Sequence, residues 1–433
     1  MQTLYTFQRR IGSSLRSFFW PSDIPQRNIR NVLIDGFGVG LVNGVATFLS
    51  IFLVRLNASS LMVGLLTSLP ALAGMVLTIF IGQLLERQRN IVPWYSASRV
   101  LVFLSYALMG VAPFFFPLDM IPIVIIILWA FATVPQIVLN VAFTVVMGAV
   151  AGPDKRYYLM SRRWSILGAS TAISVALCGW LLDTITFPLN YQIVFIASFA
   201  AGLLSFAFSR QISIPDNEPV AKPQGGRRSP RQHLNDTLAL LRGNGSYNRF
   251  IGSQFLFRLG LGIGIPLFPI YWVRDLQASD SWVGIINTVS NAVLLIAYFI
   301  WSSVSERRGP GIVLRICVFG MALYPLVTGL THTTGPLPLY AGVANLFSAG
   351  IDLVLFDILL STCPKSHTAT YVALYQMTNS VATFFGPMIG TTIGDMFGYS
   401  AALIFAALVR FAGLGLFVLF QVGNEPKPEP SAA

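Results

Sequence analysis

Long apolar runs dominate the chain, with short polar or Pro- and Gly-bearing breaks between them. A bilayer core needs roughly 20 mostly apolar residues per crossing helix. The pattern predicts twelve spans, near residues 30–56, 60–85, 91–116, 119–149, 157–183, 190–209, 247–273, 280–304, 309–331, 337–361, 369–395 and 400–421. At 56–60 and 304–309 the next run restarts too soon for one straight helix, which predicts tight turns. Residues 1–20 mix Arg9, Arg10 and Arg16 with Leu4, Phe7, Ile11, Leu15 and Trp20 and have no clean apolar core. They are expected to lie on the membrane surface as an amphipathic segment, and no cleavable signal peptide is evident.

Composition narrows the class. Only 10% of the 433 residues are charged and 55% are hydrophobic, whereas a typical soluble domain is about 25% charged. Seventeen acidic and 28 basic side chains are too few to coat a soluble core of this size, which excludes an ordinary soluble enzyme. Cys178, Cys317 and Cys363 give neither a disulfide framework nor a metal-binding spacing. Walker loops, dinucleotide fingerprints, zinc motifs and nucleophile elbows are missing from the sequence, so no enzymatic activity, cofactor or metal is expected.

The formal net charge of +11 is sorted along the chain. Arg9 to Arg30, Arg87 and Arg89, the group Lys155, Arg156, Arg162 and Arg163, Arg210 to Arg249, Arg307 and Arg308, and Lys365 fall at the N-terminal tail and at alternate connections. The intervening connections carry Arg55 and Arg274 but otherwise mainly Asp119, Asp183, Asp275, Asp280 and Asp395. The positive-inside rule then puts both termini in the cytoplasm, and an even number of spans agrees. Such a distribution marks topology, so no nucleic-acid partner is expected.

Residues 210–246 interrupt the spans with Pro215, Pro219, Pro223 and Pro230 and a basic run at Arg227, Arg228 and Arg231. The expected organisation is a tail at 1–29, a six-helix bundle at 30–209, a cytoplasmic linker at 210–246 with a short surface helix near 232–242, a second six-helix bundle at 247–421 and a tail at 422–433. The bundles repeat each other. Val54-Arg55, Ala58-Ser59 and Val63-Gly64 match Val273-Arg274, Ala278-Ser279 and Val283-Gly284. Glu86-Arg87 matches Glu306-Arg307, Pro153 matches Pro364, and Asp183 matches Asp395, all at offsets of 211 to 220 residues. A series in register points to duplication, with parallel repeats of the kind that rock about a central site.

Charge within hydrocarbon is costly and therefore informative. Asp35 in span one, Arg258 in span seven, Asp352 and Asp357 in span ten and Arg410 in span twelve are expected to face the bundle interior. Asp35 and Asp352 are the candidates for proton coupling; Asp35 also suits a structural partnership with an arginine. Arg258 suits either an anionic substrate group or an ion pair with Asp352. Five helical residues turn about 500°, so Asp352 and Asp357 diverge and form no paired-carboxylate site. Asp357 is expected to brace Arg307 and Arg308, and Arg410 to hold a neighbouring helix. Asn43, Gln136, Asn140, Gln254, Asn287, Asn291 and Asn345 are candidates for the substrate cavity, with interhelical hydrogen bonding the alternative. Gln376 and Asn379 add polarity to span eleven, and Pro266 and Pro269 predict a kink in span seven.

The six-plus-six arrangement, the long central connection and the loop Gly82-Gln83-Leu84-Leu85-Glu86-Arg87-Gln88-Arg89 together resemble the major facilitator superfamily, over roughly residues 30–421. In that family this loop carries a glycine, an acidic residue and basic residues that latch the cytoplasmic side. Here Glu86 replaces the usual aspartate and the glycine after Arg87 is missing, while the second copy, Glu306, Arg307, Arg308 and Gly309, keeps its glycine. The arginine often linked with proton coupling is missing from span four, and the Gly-Pro pair of many proton-driven exporters from span five; span eleven has Gly386-Pro387. The resemblance implies an all-α membrane protein with twelve transmembrane helices in two six-helix bundles related by pseudo-twofold symmetry. It further implies a secondary transporter of the bacterial cytoplasmic (inner) membrane, with spans one, four, seven and ten around the cavity. The latch would comprise Gly82, Glu86, Arg87, Arg89, Glu306, Arg307, Arg308 and Asp357. A small amphipathic or uncharged organic solute, protons and membrane lipids are the expected partners of a monomer. Passive facilitation, or an assembly or delivery role, are the alternative readings.

Overall fold

The computed structural model describes residues 23–214, 245–363 and 368–423. The expected N-terminal surface segment, the helix near 232–242, Lys365 and the C-terminal residues 424–433 lie outside the described residues. Every regular element described is helical. The helices are α1 (Ile24–Ala46), α2 (Leu49–Arg55), α3 (Ser60–Glu86), α4 (Val92–Val111), α5 (Ile121–Thr184), α6 (Leu189–Ser209), α7 (Gly245–Ile270), α8 (Asp280–Arg308), α9 (Pro310–Gly329), α10 (Leu337–Thr362), α11 (Thr368–Phe397) and α12 (Tyr399–Leu419).

Eleven stretches of these helices are long and apolar enough to cross a bilayer. Thirty-residue α11, diluted by Gln376, Asn379 and its hydroxyl residues, supplies the twelfth span and packs along α7. Span one is α1 followed by α2 and begins at Ile24, because the Asp23 carboxylate accepts the Gln26 N–H at 2.9 Å and Pro25 lies in the first turn. Spans four and five, expected to be separated by a connection, are both parts of 64-residue α5, as Ile121–Ala151 and Leu159–Thr184. Residues 154–163 are largely good helix formers, so helical hydrogen bonding continues through the polar stretch.

By packing, one compact unit contains residues 1–48 and 76–222 and the other 49–75 and 223–433, so the boundary runs through α3. In the first unit α1 lies against α5 and α6 at glycine positions. A Cβ on Gly44 would sit 2.5 Å from the Ser174 Cβ, and one on Gly38 2.9 Å from the Ala201 carbonyl. Small residues let helix backbones approach this closely in membranes. The Ser174 hydroxyl uses the proximity to donate to the Leu41 carbonyl at 2.7 Å.

In the second unit α7 packs on α11 and α12, and α8 on α10. Phe257, Leu314, Cys317, Val354, Leu355 and Phe417 form part of its core. Pro266 and Pro269 lie inside α7, which passes into a π turn at Tyr271–Asp275. Each proline removes a backbone donor, and π turns accommodate such interruptions.

The expected tight turn at 56–60 occurs twice. Asn57 (φ 56°) and Gln277 (φ 52°) are both left-handed. The next amide closes the turn in each copy: Ala58 N–H donates to Leu53 at 3.0 Å and Ala278 N–H to Trp272 at 2.8 Å. The turn at 304–309 is made by Gly309, whose φ of 81° ends α8.

Candidate functional site

Four helices of the first unit converge on Asp35, which is fully buried. Arg99 Nε from α4 lies 3.0 Å from one carboxylate oxygen, and Arg163 Nη2 from α5 lies 3.3 Å from the other. The Tyr95 hydroxyl donates at 2.9 Å and the Ser205 hydroxyl of α6 at 2.6 Å. Arg99 also donates to the Tyr95 hydroxyl, and the Arg163 guanidinium lies over the Phe143 ring at 4.6 Å. One carboxylate and two guanidiniums leave a buried net charge of +1. Arg99 and Arg163 were not among the five charged residues expected in the membrane interior. Arg163 belongs to a membrane-length stretch of α5 rather than to a basic connection. The signal for Arg99 was its place seven residues into an apolar span.

The second unit holds its polar groups differently. Asp352 lies on the exposed surface of α10, near the Tyr298 hydroxyl of α8. The charge of Arg258 on α7 acts on this carboxylate, but among the described residues no ion pair within 4 Å joins them. The Arg258 Nε is buried without a hydrogen-bond partner. Gln254, fully buried one turn earlier, donates to the Asn379 Oδ1 of α11 and leaves its own Oε1 unpartnered. Arg410 is buried on α12 with two backbone partners, its Nε donating to Gly260 at 3.1 Å and its Nη1 to Met321 at 2.8 Å. Arg315 on α9 is a further intramembrane cation beyond the five expected, and its Nε and Nη2 are buried without hydrogen-bond partners.

The remaining polar candidates split in two. Asn287, Asn291 and Asn345 each donate to the carbonyl four residues earlier on their own helix, at 2.9, 2.8 and 3.1 Å. Gln136 and Asn140 bond each other at 3.1 Å on α5, and Asn43 is exposed on α1. Among the described residues no group of His, Cys, Asp and Glu has a metal-binding arrangement.

The duplicated turns form a reciprocal clasp inside the second unit. Arg55 donates to the Ala278 carbonyl at 2.6 Å and lies 3.4 Å from Asp280. Arg274, its counterpart in the repeat, donates to the Ala58 carbonyl and, at 2.8 Å, to the Tyr399 hydroxyl. Ser60, 1% exposed, donates to Asp395 at 2.6 Å. Each arginine thus caps the turn that follows the other. The Val-Arg repeat carried this signal, although the sequence alone assigned neither arginine a site.

The Major Facilitator Superfamily profile matches residues 27–248 and 250–433. The chain belongs to this family of membrane transporters. A staphyloferrin B transporter of Staphylococcus aureus (strain NCTC 8325 / PS 47) is 24% identical over 183 residues, 41% of this chain and 44% of that protein. The multidrug resistance protein MdtG of Enterobacter lignolyticus (strain SCF1) is 23% identical over 171 residues, 38% of this chain and 40% of that protein. The chain is therefore matched over less than half the length of these relatives. Among solved structures, a POT family transporter in complex with 5-aminolevulinic acid superposes with a TM-score of 0.71 at 11% identity, covering 93% of this chain and 97% of that one. The nucleoside transporter NupG superposes with a TM-score of 0.67 at 14% identity, covering 92% and 99%. At these identities the likeness concerns the fold.

Of the predicted latch residues, Arg87 and Arg89 lie in the connection after α3 and Asp357 within α10, while the others sit at helix ends. Gly82 to Glu86 are the last residues of α3, and Glu306 to Arg308 the last turn of α8. Helical hydrogen bonding persists past Gly82 because one glycine costs only about 1 kcal/mol relative to alanine. Arg87, Arg89, Glu306, Arg307, Arg308 and Asp357 are exposed, and the Glu86 side chain lies outside the described residues. Among the described residues no ion pair joins Asp357 to Arg307 or Arg308, so the expected brace is not formed in this structure.

Proposed function

We propose that this protein is a proton-coupled secondary transporter that moves a small amphipathic or uncharged organic solute by alternating access. The observation that carries the reading is Asp352. It is an intramembrane carboxylate with a hydroxyl and a cation nearby, and among the described residues no ion pair holds it. A carboxylate in that setting can gain and lose a proton without first breaking a salt bridge. Asp35 is the poorer candidate, because two arginines and two hydroxyls already occupy its carboxylate oxygens. In this reading Asp35 organises its unit and Asp352 exchanges protons. The termini face the cytoplasm of a bacterial inner membrane, the chain acts as a monomer, and the Arg55–Arg274 clasp closes the opposite face. Arg87 and Arg307 would serve the cytoplasmic latch in the other state of the cycle.

The test is transport by purified protein in liposomes with an imposed pH gradient, screened over neutral and charged solutes. Wild type should accumulate a solute against its gradient and acidify or alkalinise the lumen in step. Asp352→Asn should lose accumulation while keeping solute exchange. Accumulation at the wild-type rate in Asp352→Asn removes the proton role from this residue. Equilibration without accumulation in wild type marks a passive facilitator, and no movement of any solute favours an assembly or delivery role.

A further inference from the structure

A recess of about 440 Å³ opens between α3 and α11 within the second unit. Leu66, Thr67, Pro70 and Ala71 line it from α3, and Asn379, Ser380 and Thr383 from α11. Its volume is in the range of small-molecule sites. The two helices are tied directly beside it: buried Ser68 donates to the Phe384 carbonyl at 2.8 Å. One turn earlier on α3, a Cβ placed on Gly64 would lie 3.3 Å from the Thr391 methyl and 3.5 Å from the Pro387 Cβ.

The hydroxyls of this recess depart from the rule in their helix. A serine or threonine in a helix ordinarily satisfies its hydroxyl on a carbonyl three or four residues earlier. Thr378, Thr391 and Thr392 of α11 all do so, at 2.6, 2.9 and 2.8 Å. Thr67, Ser380 and Thr383 have no such bond among the described residues. Asn379 is held from behind by Gln254, which occupies one end of its amide. In either amide orientation the other end stays open for a ligand. Three hydroxyls and the open end of one amide therefore meet in one recess with the apolar Leu66, Pro70 and Ala71. No charged residue lines it.

We propose that this recess binds the neutral hydrogen-bonding part of the transported solute, and that the substrate class is an uncharged compound bearing hydroxyl or amide groups beside an apolar portion. A carboxylate or ammonium placed here would lose hydration without finding a counter-charge. The assignment deepens the transporter reading and rests on it for the word substrate, while the binding itself does not depend on proton coupling.

The experiment is direct binding to the full chain in nanodiscs, with no gradient. The probes are phenyl β-glucoside and phenyl β-galactoside as neutral ligands and phenyl β-glucuronide as the charged counterpart. Wild type should bind at least one neutral probe, and at least tenfold more tightly than the glucuronide. Thr383→Val and Ser380→Ala change little volume and leave Gln254, Asn379 and Asp352 in place; each should weaken neutral-probe binding by about two- to tenfold, the loss of one neutral hydrogen bond. Thr67→Val should do the same from the other wall. Failure of both neutral probes to bind wild type, equal binding of the glucuronide, or unchanged affinity in all three variants overturns the proposal. Probe binding that depends on these hydroxyls in a protein that moves no solute would instead defeat the transporter reading and leave the binding site standing.

Discussion

Asp35→Asn isolates the electrostatic role of the first unit's polar cluster. The substitution preserves volume and leaves the Tyr95 and Ser205 hydroxyls a polar partner, so almost the whole effect is loss of one negative charge between Arg99 and Arg163. Those guanidiniums are 3% exposed and lie 3.0 and 3.3 Å from the carboxylate. At an effective dielectric of about 20, one such contact is worth about 5 kcal/mol before desolvation is counted. Breaking a buried pair from one side costs about 3–5 kcal/mol, because the remaining charge is left uncompensated. Here two cations remain, so Asp35→Asn should reach the upper part of that range. At about 2–4 °C per kcal/mol for a unit of this size, thermal unfolding should fall by about 10–20 °C. The assay is unfolding followed by tryptophan fluorescence in one detergent at one lipid content. Adding Arg163→Leu to Asp35→Asn should recover part of the loss, with a coupling energy of about 1–3 kcal/mol in the double-mutant cycle. A single variant within about 0.5 kcal/mol of wild type, inside the scatter of ordinary surface changes, refutes the buried-network account.

Two further outcomes test the second unit. Replacing both Arg55 and Arg274 with Gln removes charge-assisted hydrogen bonds worth about 1.5–3 kcal/mol each; alkylation of a Ser60→Cys reporter, at a position now 1% exposed, should accelerate at least tenfold, and an unchanged rate rejects the clasp as a gate. Gly386→Val should destabilise by about 1–3 kcal/mol or more through overpacking, since its Cβ would lie 2.8 Å from the Gly262 backbone, whereas Gly415→Val on α12 meets nothing within 4 Å and should be neutral; equal melting temperatures for the two would show that the α7–α11 contact relaxes freely.

The helices were legible because burial in lipid demands long unbroken apolar runs, and the duplicated turn because it preserves Val-Arg and Ala-Ser at a constant offset. Arg99 and Arg315 were harder to see, since a single arginine inside an apolar run changes its average hydropathy little. Arg163 was obscured by Arg162 beside it, which makes the pair look like a loop-marking basic group. Continuity of α5 past residue 152 depends on backbone hydrogen bonding that Gly152-Pro153 appeared to forbid on local grounds. The grouping of residues 49–75 with the second unit follows from side-to-side packing at Ser60, Gly64 and Ser68. Chain order carries no trace of such contacts.

The repeat also shows where the two copies have diverged. Asp35 corresponds to Gln254 at an offset of 219, as for Val54-Arg55, and Arg99 to Arg315 at an offset of 216, whereas Arg163, at the offsets of 211 and 212 that hold for Pro153 and Asp183 on either side of it, falls at Leu374 or Tyr375. The first copy of this constellation is ionic and closed: every member is tied to Asp35. In the second copy the carboxylate position holds an amide and the Arg163 position an uncharged side chain; Gln254 makes a neutral bond to Asn379 and Arg315 keeps a guanidinium with unused donors. A neutral hydrogen bond contributes about 0.5–1.5 kcal/mol net, against about 3–5 kcal/mol for opening a buried ion pair. Rearrangement at this constellation is therefore several kcal/mol cheaper in the second unit, which also carries the prolines of α7, the uncommitted Asp352 and the recess beside Asn379. On the proposed reading, the second unit, which holds no counterpart of the Asp35 double ion pair among its described residues, is where proton exchange, solute contact and easier rearrangement would coincide.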